Sequence, residues 1–284
     1  MRDAVTSRIK RVRRLALLAA HHSQDDWDYV HQLRVAARRA VVTLNALDGY
    51  ATPHERRRIR RGLKRLRHIA GNARDLDVRL EQLLSESEGL SPSTRHGLVH
   101  AVVMERGQVQ IALGAGVKKL RRKHRFRQWA QWADELEWQG ASPEPTCHER
   151  AVICLAESVD RLEGLGHPWP AEPATLHQLR MIGKRTRYEC ELFASFFAAD
   201  RFDTVYGQLL ELQDDLGGWH DRQIAWNEWR RWSEHPPRRC AGPEVTAALR
   251  RAAESERAAR ALCEEKWSDG RMTTLVQQLR EFLL

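Results

Sequence analysis

The first 146 residues contain no cysteine, and the whole chain has five: Cys147, Cys154, Cys190, Cys240 and Cys263. An odd count at irregular spacing, with no CxxC, excludes a disulfide framework and a zinc ribbon. It points to a reducing cytoplasm. No apolar run approaches the ~20 residues of a membrane helix. The six apolar residues 15–20 follow a basic stretch but fall short of the ~7–15 of a signal-peptide core, and His21-His22 ends them. Val5, Ile9, Val12, Ala16 and Ala19 recur instead at helical spacing. Alternating β-branched and polar stretches are almost absent. So are a phosphate-binding glycine loop, a dinucleotide fingerprint, a nucleophile–base–acid set and a paired-carboxylate signature. The chain is therefore expected to be no enzyme and to need no cofactor or metal. Arg95-His96-Gly97 has the spelling of a histidine-phosphatase nucleophile motif. That motif follows a strand, whereas Ser91-Pro92-Ser93-Thr94 reads as a helix start. His96 and His100 stand at i,i+4 with no third metal ligand in view.

What is present is helix. Leu, Ala, Arg, Glu and Gln dominate the 284 residues, and all are strong helix formers. Gly, Pro and Ser clusters divide the chain into twelve segments. These run 3–21, 27–48, 53–70, 73–87, 91–122 and 124–138, then 147–165, 173–199, 201–216, 219–234, 241–268 and 269–283. A shift of 146 lays His31-Gln32-Leu33-Arg34 on His177-Gln178-Leu179-Arg180. The same shift pairs Arg39 with Arg185, Leu63 with Leu209, Gly71 with Gly217, Asp75 with Asp221 and Arg125 with Arg271. One ungapped offset over a hundred residues indicates a duplication. The expected fold is all-α. Residues 1–140 and 146–284 each form an antiparallel, four-helix-bundle-like half, joined by the 140–145 linker and related by a pseudo-twofold axis.

Charge has a pattern as well. Lys+Arg number 47 against 38 Asp+Glu, a net charge of +9. On a helix, Leu33, Ala36, Ala40, Leu44 and Leu47 share one face, and His31, Arg34 and Arg38 lie beside it. The second copy places His177, Arg180, Lys184 and Arg187 beside Leu179, Ile182, Cys190 and Phe193. Neither stripe contains an acid, although a solvated helix face gains from i,i+4 ion pairs. Residues 56–68 hold eight Lys/Arg and no acid. There Ile59, Leu63, Leu66 and Ala70 form a core stripe, while Arg57, Arg60, Lys64 and Arg67 line a neighbouring face. At the matching positions the second half has Leu210 for Lys64 and Gln213 for Arg67, so the first half should carry more of an anion site. Gly71-Asn72 and Gly217-Gly218 read as turns into new helices. That places Asp75 and Asp221 in a first turn, where acids suit the helix dipole, each with an ion pair to a nearby Arg, and makes Arg74 and His220 equivalent. Lys118–Arg127, with seven Lys/Arg, reads as outer solvated charge. The i,i+3 spacing of Trp129 with Trp132, and of Trp226 with Trp229, fits core packing better than base stacking.

His31-Gln32-Leu33-Arg34-Val35-Ala36-Ala37-Arg38-Arg39 followed by Gly71-Asn72-Ala73-Arg74-Asp75 resembles the CHAD family, the "conserved histidine α-helical domain". So does its second version, from His177 to Tyr188 with Gly217 to Asp221. The resemblance spans nearly the whole chain. It implies two helical bundles around a basic central cavity, binding of inorganic polyphosphate, and targeting to cytoplasmic polyphosphate granules. Proteins of polyphosphate metabolism become expected partners, and a membrane does not. By motif position it implies cavity-lining roles for His31, Arg34, Arg38, His177, Arg180, Lys184 and Arg187, with Arg74 and His220 added. Val41 departs from the pattern where an Arg would match Arg187, as do the acids Asp214-Asp215. The competing reading is a basic helical nucleic-acid-binding protein, for which Gln32 and Gln178 are the only base-reading candidates within the motifs.

Overall fold

The computed structural model describes residues 2–22, 26, 28–48, 53–85, 91–136, 146–167, 169–170, 172–236, 242–268 and 270–284, without the side chains of 85, 262–264 and 268. The 140–145 linker, the breaks at 23–25, 49–52 and 237–241, Cys240 and the Cys263 side chain lie outside the described residues. Among the described residues all regular structure is helical. The chain divides into two compact units, Met1–Glu144 and Pro145–Leu284.

In the first unit, α1 (Arg2–His21) packs on α2 (Asp28–Ala46), and α2 packs on α3 (Pro53–Ser85). Helix α3 then packs on α4 (Pro92–Arg122), and the short α5 (Arg125–Asp134) closes back on α1. The core is what the helical stripes demanded. Val5, Ile9, Leu33, Leu44, Leu47, Ile59, Leu63, Leu66, Leu113 and Trp129 are all buried in one cluster. The Ser91 hydroxyl accepts from the Thr94 amide at 3.2 Å and caps α4, with Pro92 just inside. The segment around Arg95-His96-Gly97 is thus a helix start.

The second unit repeats this order with α6 (Cys147–Gly166), α7 (Pro173–Phe193), α8 (Ala199–Glu234), α9 (Pro243–Ser268) and α10 (Arg271–Leu283). A 3-10 turn, Ala194–Phe196, ends α7. Thr146 and Glu149 form a reciprocal capping box on α6. Leu155, Val159, Leu176, Leu209, Leu212, Trp219, Leu275 and Leu279 build the core, on which α10 closes against α6.

Two expectations need correction. Residues 53–85 form one helix and 199–234 another, so neither Gly71-Asn72 nor Gly217-Gly218 is a turn. A glycine inside a helix costs only ~1 kcal/mol relative to alanine. Burial of Leu66, Ala70, Ala73 and Leu76 across Gly71-Asn72, and of Leu212, Leu216, Trp219 and Ala225 across Gly217-Gly218, outweighs that cost. Asp75 and Asp221 are therefore mid-helix residues and do not complement a helix dipole. The described residues accordingly form ten α-helices in place of the twelve expected segments.

The tryptophans pack much as their spacing implied. Trp129 and Trp229 are buried, and Trp132 and Trp226 are half-buried.

Candidate functional site

In the first unit the candidate stripe forms where α2 meets α3. Leu33, Ala36, Ala37 and Ala40 are buried, which fixes the rotation of α2 and turns His31, Arg34 and Arg38 toward its margin. Arg34 and Arg38 are half-buried and His31 is exposed. Arg34 donates to Asp75 Oδ1 at 3.1 Å, so the mid-helix acid holds a stripe arginine. Arg67 lies in the field of Arg34. Burial first, and then the Arg34 charge, push the Arg67 guanidinium below the usual arginine range. Two half-buried cations thus share this seam, and the Asp75 carboxylate pairs with Arg34. Arg60 donates to Asn45 Oδ1 at 3.2 Å, while Lys64 is exposed on the outer edge of α3. Arg74 sits further along α3 and turns back to its own helix. It grips both oxygens of Glu81 at 3.0 and 3.2 Å.

The second unit has a different stripe at the α7–α8 seam. His177 on α7 and His220 on α8 face each other, their ring centroids 5.1 Å apart. The structure therefore joins two residues that sequence had linked only through separate motifs. Arg180 and Lys184 follow on α7, both half-buried. Arg187 lies over the Tyr188 ring at 4.6 Å and approaches Glu191 Oε1 at 3.9 Å. The Tyr206 hydroxyl donates to the same carboxylate oxygen at 2.9 Å. Gly183 is required by a close approach: a Cβ there would come within 2.3 Å of Gln213 Nε2. Gln213, which stands where the first unit has Arg67, is buried, and neither its amide oxygen nor its nitrogen has a hydrogen-bond partner among the described residues.

Sequence reasoning missed the supporting carboxylates. Asp77 is fully buried and takes a 2.6 Å bond from Arg106 Nε. Burial raises its pKa, and the Arg106 bond opposes that rise. In the second unit, Glu189 accepts from Ser158 at 2.5 Å and from Arg185 at 2.7 Å. Its pKa is raised, chiefly by burial. The one available hint was the coincidence of Arg39 with Arg185 at the 146-residue offset. The Arg39 backbone carbonyl accepts from Arg8 at 3.2 Å. Among the described residues no group of three His, Cys, Asp or Glu side chains could hold a metal ion. None of the described helices is long and apolar enough to cross a membrane.

Both units thus present arginine and histidine side chains along a helix seam, an arrangement whose chemistry suits anionic ligands. The family model of the CHAD domain matches residues 10–231. The chain belongs to the CHAD domain family. Its fold is similar to the crystal structure of the CHAD domain from the plant Ricinus communis, with 18% identity and a TM-score of 0.70, covering 98% of this chain and 90% of that one. It is also similar to PptA from Streptomyces chartreusis, with 16% identity and a TM-score of 0.69, covering 99% of each chain. Among curated proteins none matches. At such identities the CHAD structures share the fold with this chain, and the side-chain geometry above is its own.

Proposed function

We propose that this CHAD protein binds inorganic polyphosphate through the α2–α3 and α7–α8 stripes and is targeted by that binding to polyphosphate granules. The half-buried Arg34, held by Asp75 at 3.1 Å with the half-buried Arg67 cation in its field, carries the reading. Two such cations favour a further anion, and a phosphate oxygen accepts from guanidinium forks in planar, charge-assisted bonds. The His177–His220 pair adds imidazole donors that follow pH. The stripes supply no base-edge readers, which suits a polymer whose units are all alike. They supply no hydrolytic set, so the ligand is held and not cut. Proteins of polyphosphate metabolism are the natural partners of such a holder.

A competition titration tests the proposal. Long-chain polyphosphate should displace RNA and ATP from the purified protein, and log K should fall steeply and linearly with log salt. Equal binding of ATP and long chains would overturn it. Incubation with polyphosphate and Mg²⁺ should release no orthophosphate above a His31→Ala control.

A further inference from the structure

The turn between α4 and α5 and the turn between α9 and α10 are built alike. Each places one residue in the left-handed region, His124 with φ 50° and Gly270 with φ 96°, and these stand at the 146-residue offset. Glycine takes this conformation freely, while histidine does so with strain. The two corners differ sharply in charge. In the second unit the corner cations are neutralised. Lys266 bonds Asp215 at 2.7 Å and Glu211 at 3.1 Å, and Arg271 meets Glu211 Oε1 at 3.3 Å. In the first unit the residue matching Glu211 is Arg65, and the residue matching Arg271 is Arg125. An acid–base pair has become a pair of arginines.

The rest of the corner follows. Between Lys118 and Arg127 there are seven cations and no acid, whereas residues 264–273 contain three acids and two cations. Six of the seven are exposed, and Arg125, half-buried, donates to Gln128 at 3.0 Å. None of the seven makes an ion pair among the described residues. The corner is nonetheless firmly seated: Phe126 and Trp129 are buried, and a Cβ on Gly62 would come within 2.4 Å of the Trp129 ring. On α3, Arg57, Arg61, Lys64 and Arg65 are exposed, and Gly62 of the same stretch packs on the Trp129 ring of α5. The fold does not need these cations, because the second unit builds the same corner without them. Beyond the last-turn cations that a helix dipole favours, their surplus serves a negatively charged partner.

We infer that the α4–α5 corner with Arg65 is an exterior docking surface for the overhanging part of a long polyphosphate chain, reached across α3 from the α2–α3 stripe. The inference rests on the proposed function. It adds chain-length discrimination: short chains fill the stripe, and long chains also lie over the corner. A flexible phosphate polymer is favoured over nucleic acid because the corner offers cations without an exposed aromatic platform for bases.

The test compares wild type, the fourfold variant Lys118→Gln/Lys119→Gln/Arg121→Gln/Arg122→Gln, and Arg65→Glu, with tripolyphosphate, long-chain polyphosphate and single-stranded RNA as probes. The fourfold variant should keep wild-type affinity for tripolyphosphate. It should lose about tenfold for the long chain, and its salt slope should fall by about three. Arg65→Glu restores the acid–base pair with Arg125, so it should raise the melting temperature without ligand and weaken long-chain binding. If wild type binds polyphosphate of neither length, the functional reading falls and this inference with it. If wild type binds both and the fourfold variant matches it on long chains, the outer surface alone is overturned. Loss of RNA binding with polyphosphate binding intact overturns it too, in favour of a nucleic-acid surface.

Discussion

The two units share an order of helices and differ in how they settle their charge. In the second, acids stand beside the cations of the α9–α10 corner as well as beside others. Arg185 has Glu189 and Glu157, Lys266 has Asp215 and Glu211, and Arg280 has Asp160 and Glu163. In the first, α3 and the α4–α5 corner carry arginine and lysine where the second unit has leucine, glutamine and glutamate. One architecture can thus serve as a self-neutralised scaffold or as a surface left open for an anion, and a few helix-face positions decide which.

The comparison is broken most forcefully at its buried acids. Glu189→Ala removes the buried carboxylate that Ser158 and Arg185 share and leaves Arg185 only the more distant Glu157. It should destabilise the protein by about 3–5 kcal/mol, the scale for removing one partner of a buried pair. Asp77→Ala, which strands Arg106, should cost a similar amount, and denaturant melts of both variants check this. A markedly smaller loss at Asp77 would mean that the two units do not rely equally on their buried pairs.

At the stripes, Arg34→Ala should weaken long-chain polyphosphate binding by about 1.5–3 kcal/mol, the range for hydrogen bonds to charged groups. Arg187→Ala should cost less, because Glu191 and Tyr206 already surround that position. Calorimetric titration orders the two. If Arg187→Ala costs more than Arg34→Ala, the first unit does not dominate.

A pH series sharpens the contrast. The Glu189 carboxyl, raised above its usual 4.5 by burial, binds its proton more readily folded than unfolded. Between the ordinary and the raised pKa, the folded state holds more protons, so stability falls as pH rises through that window. Glu149 works in the opposite sense. The Thr146 amide and hydroxyl hold its pKa down, so its contribution is lost as pH falls through the lowered value. Thermal melts across acidic pH should show the first trend flatten in Glu189→Gln.

The smallest effects belong to glycines. A Cβ at Gly71 or Gly217 would meet nothing within 4 Å, so Gly71→Ala and Gly217→Ala should each stabilise by about 0.4–1 kcal/mol. Gly62→Ala, pressed on the Trp129 ring, should instead destabilise by about 1–3 kcal/mol. Melting temperatures distinguish the signs.

These glycines also show where sequence was legible. Buried stripes such as Ile59, Leu63, Leu66 and Ala70 could be read because helix burial has a period. The break at Gly71-Asn72 was misread because local propensity is weak beside the packing that carries α3 across it. Partners such as Asp75 for Arg34, 41 residues away, have no period to betray them, and the opposition of His177 and His220 depends on the seam between two helices. The cations of the site were therefore visible, and so was Asp75 as the partner of some arginine; which arginine it holds, and the buried acids Asp77 and Glu189, were not.

The unbroken α3 has one more consequence. At 1.5 Å per residue its 33 residues form a rod of about 50 Å. Along it Arg60 and Arg67 are fixed about 10 Å apart in axial rise. A hinge at Gly71 would have let the two ends of this row of charges swing to suit a guest. A rod without a hinge acts as a ruler, so the guest must do the bending. On the proposed function, that favours pliant chains over stiff duplexes before any single contact is made.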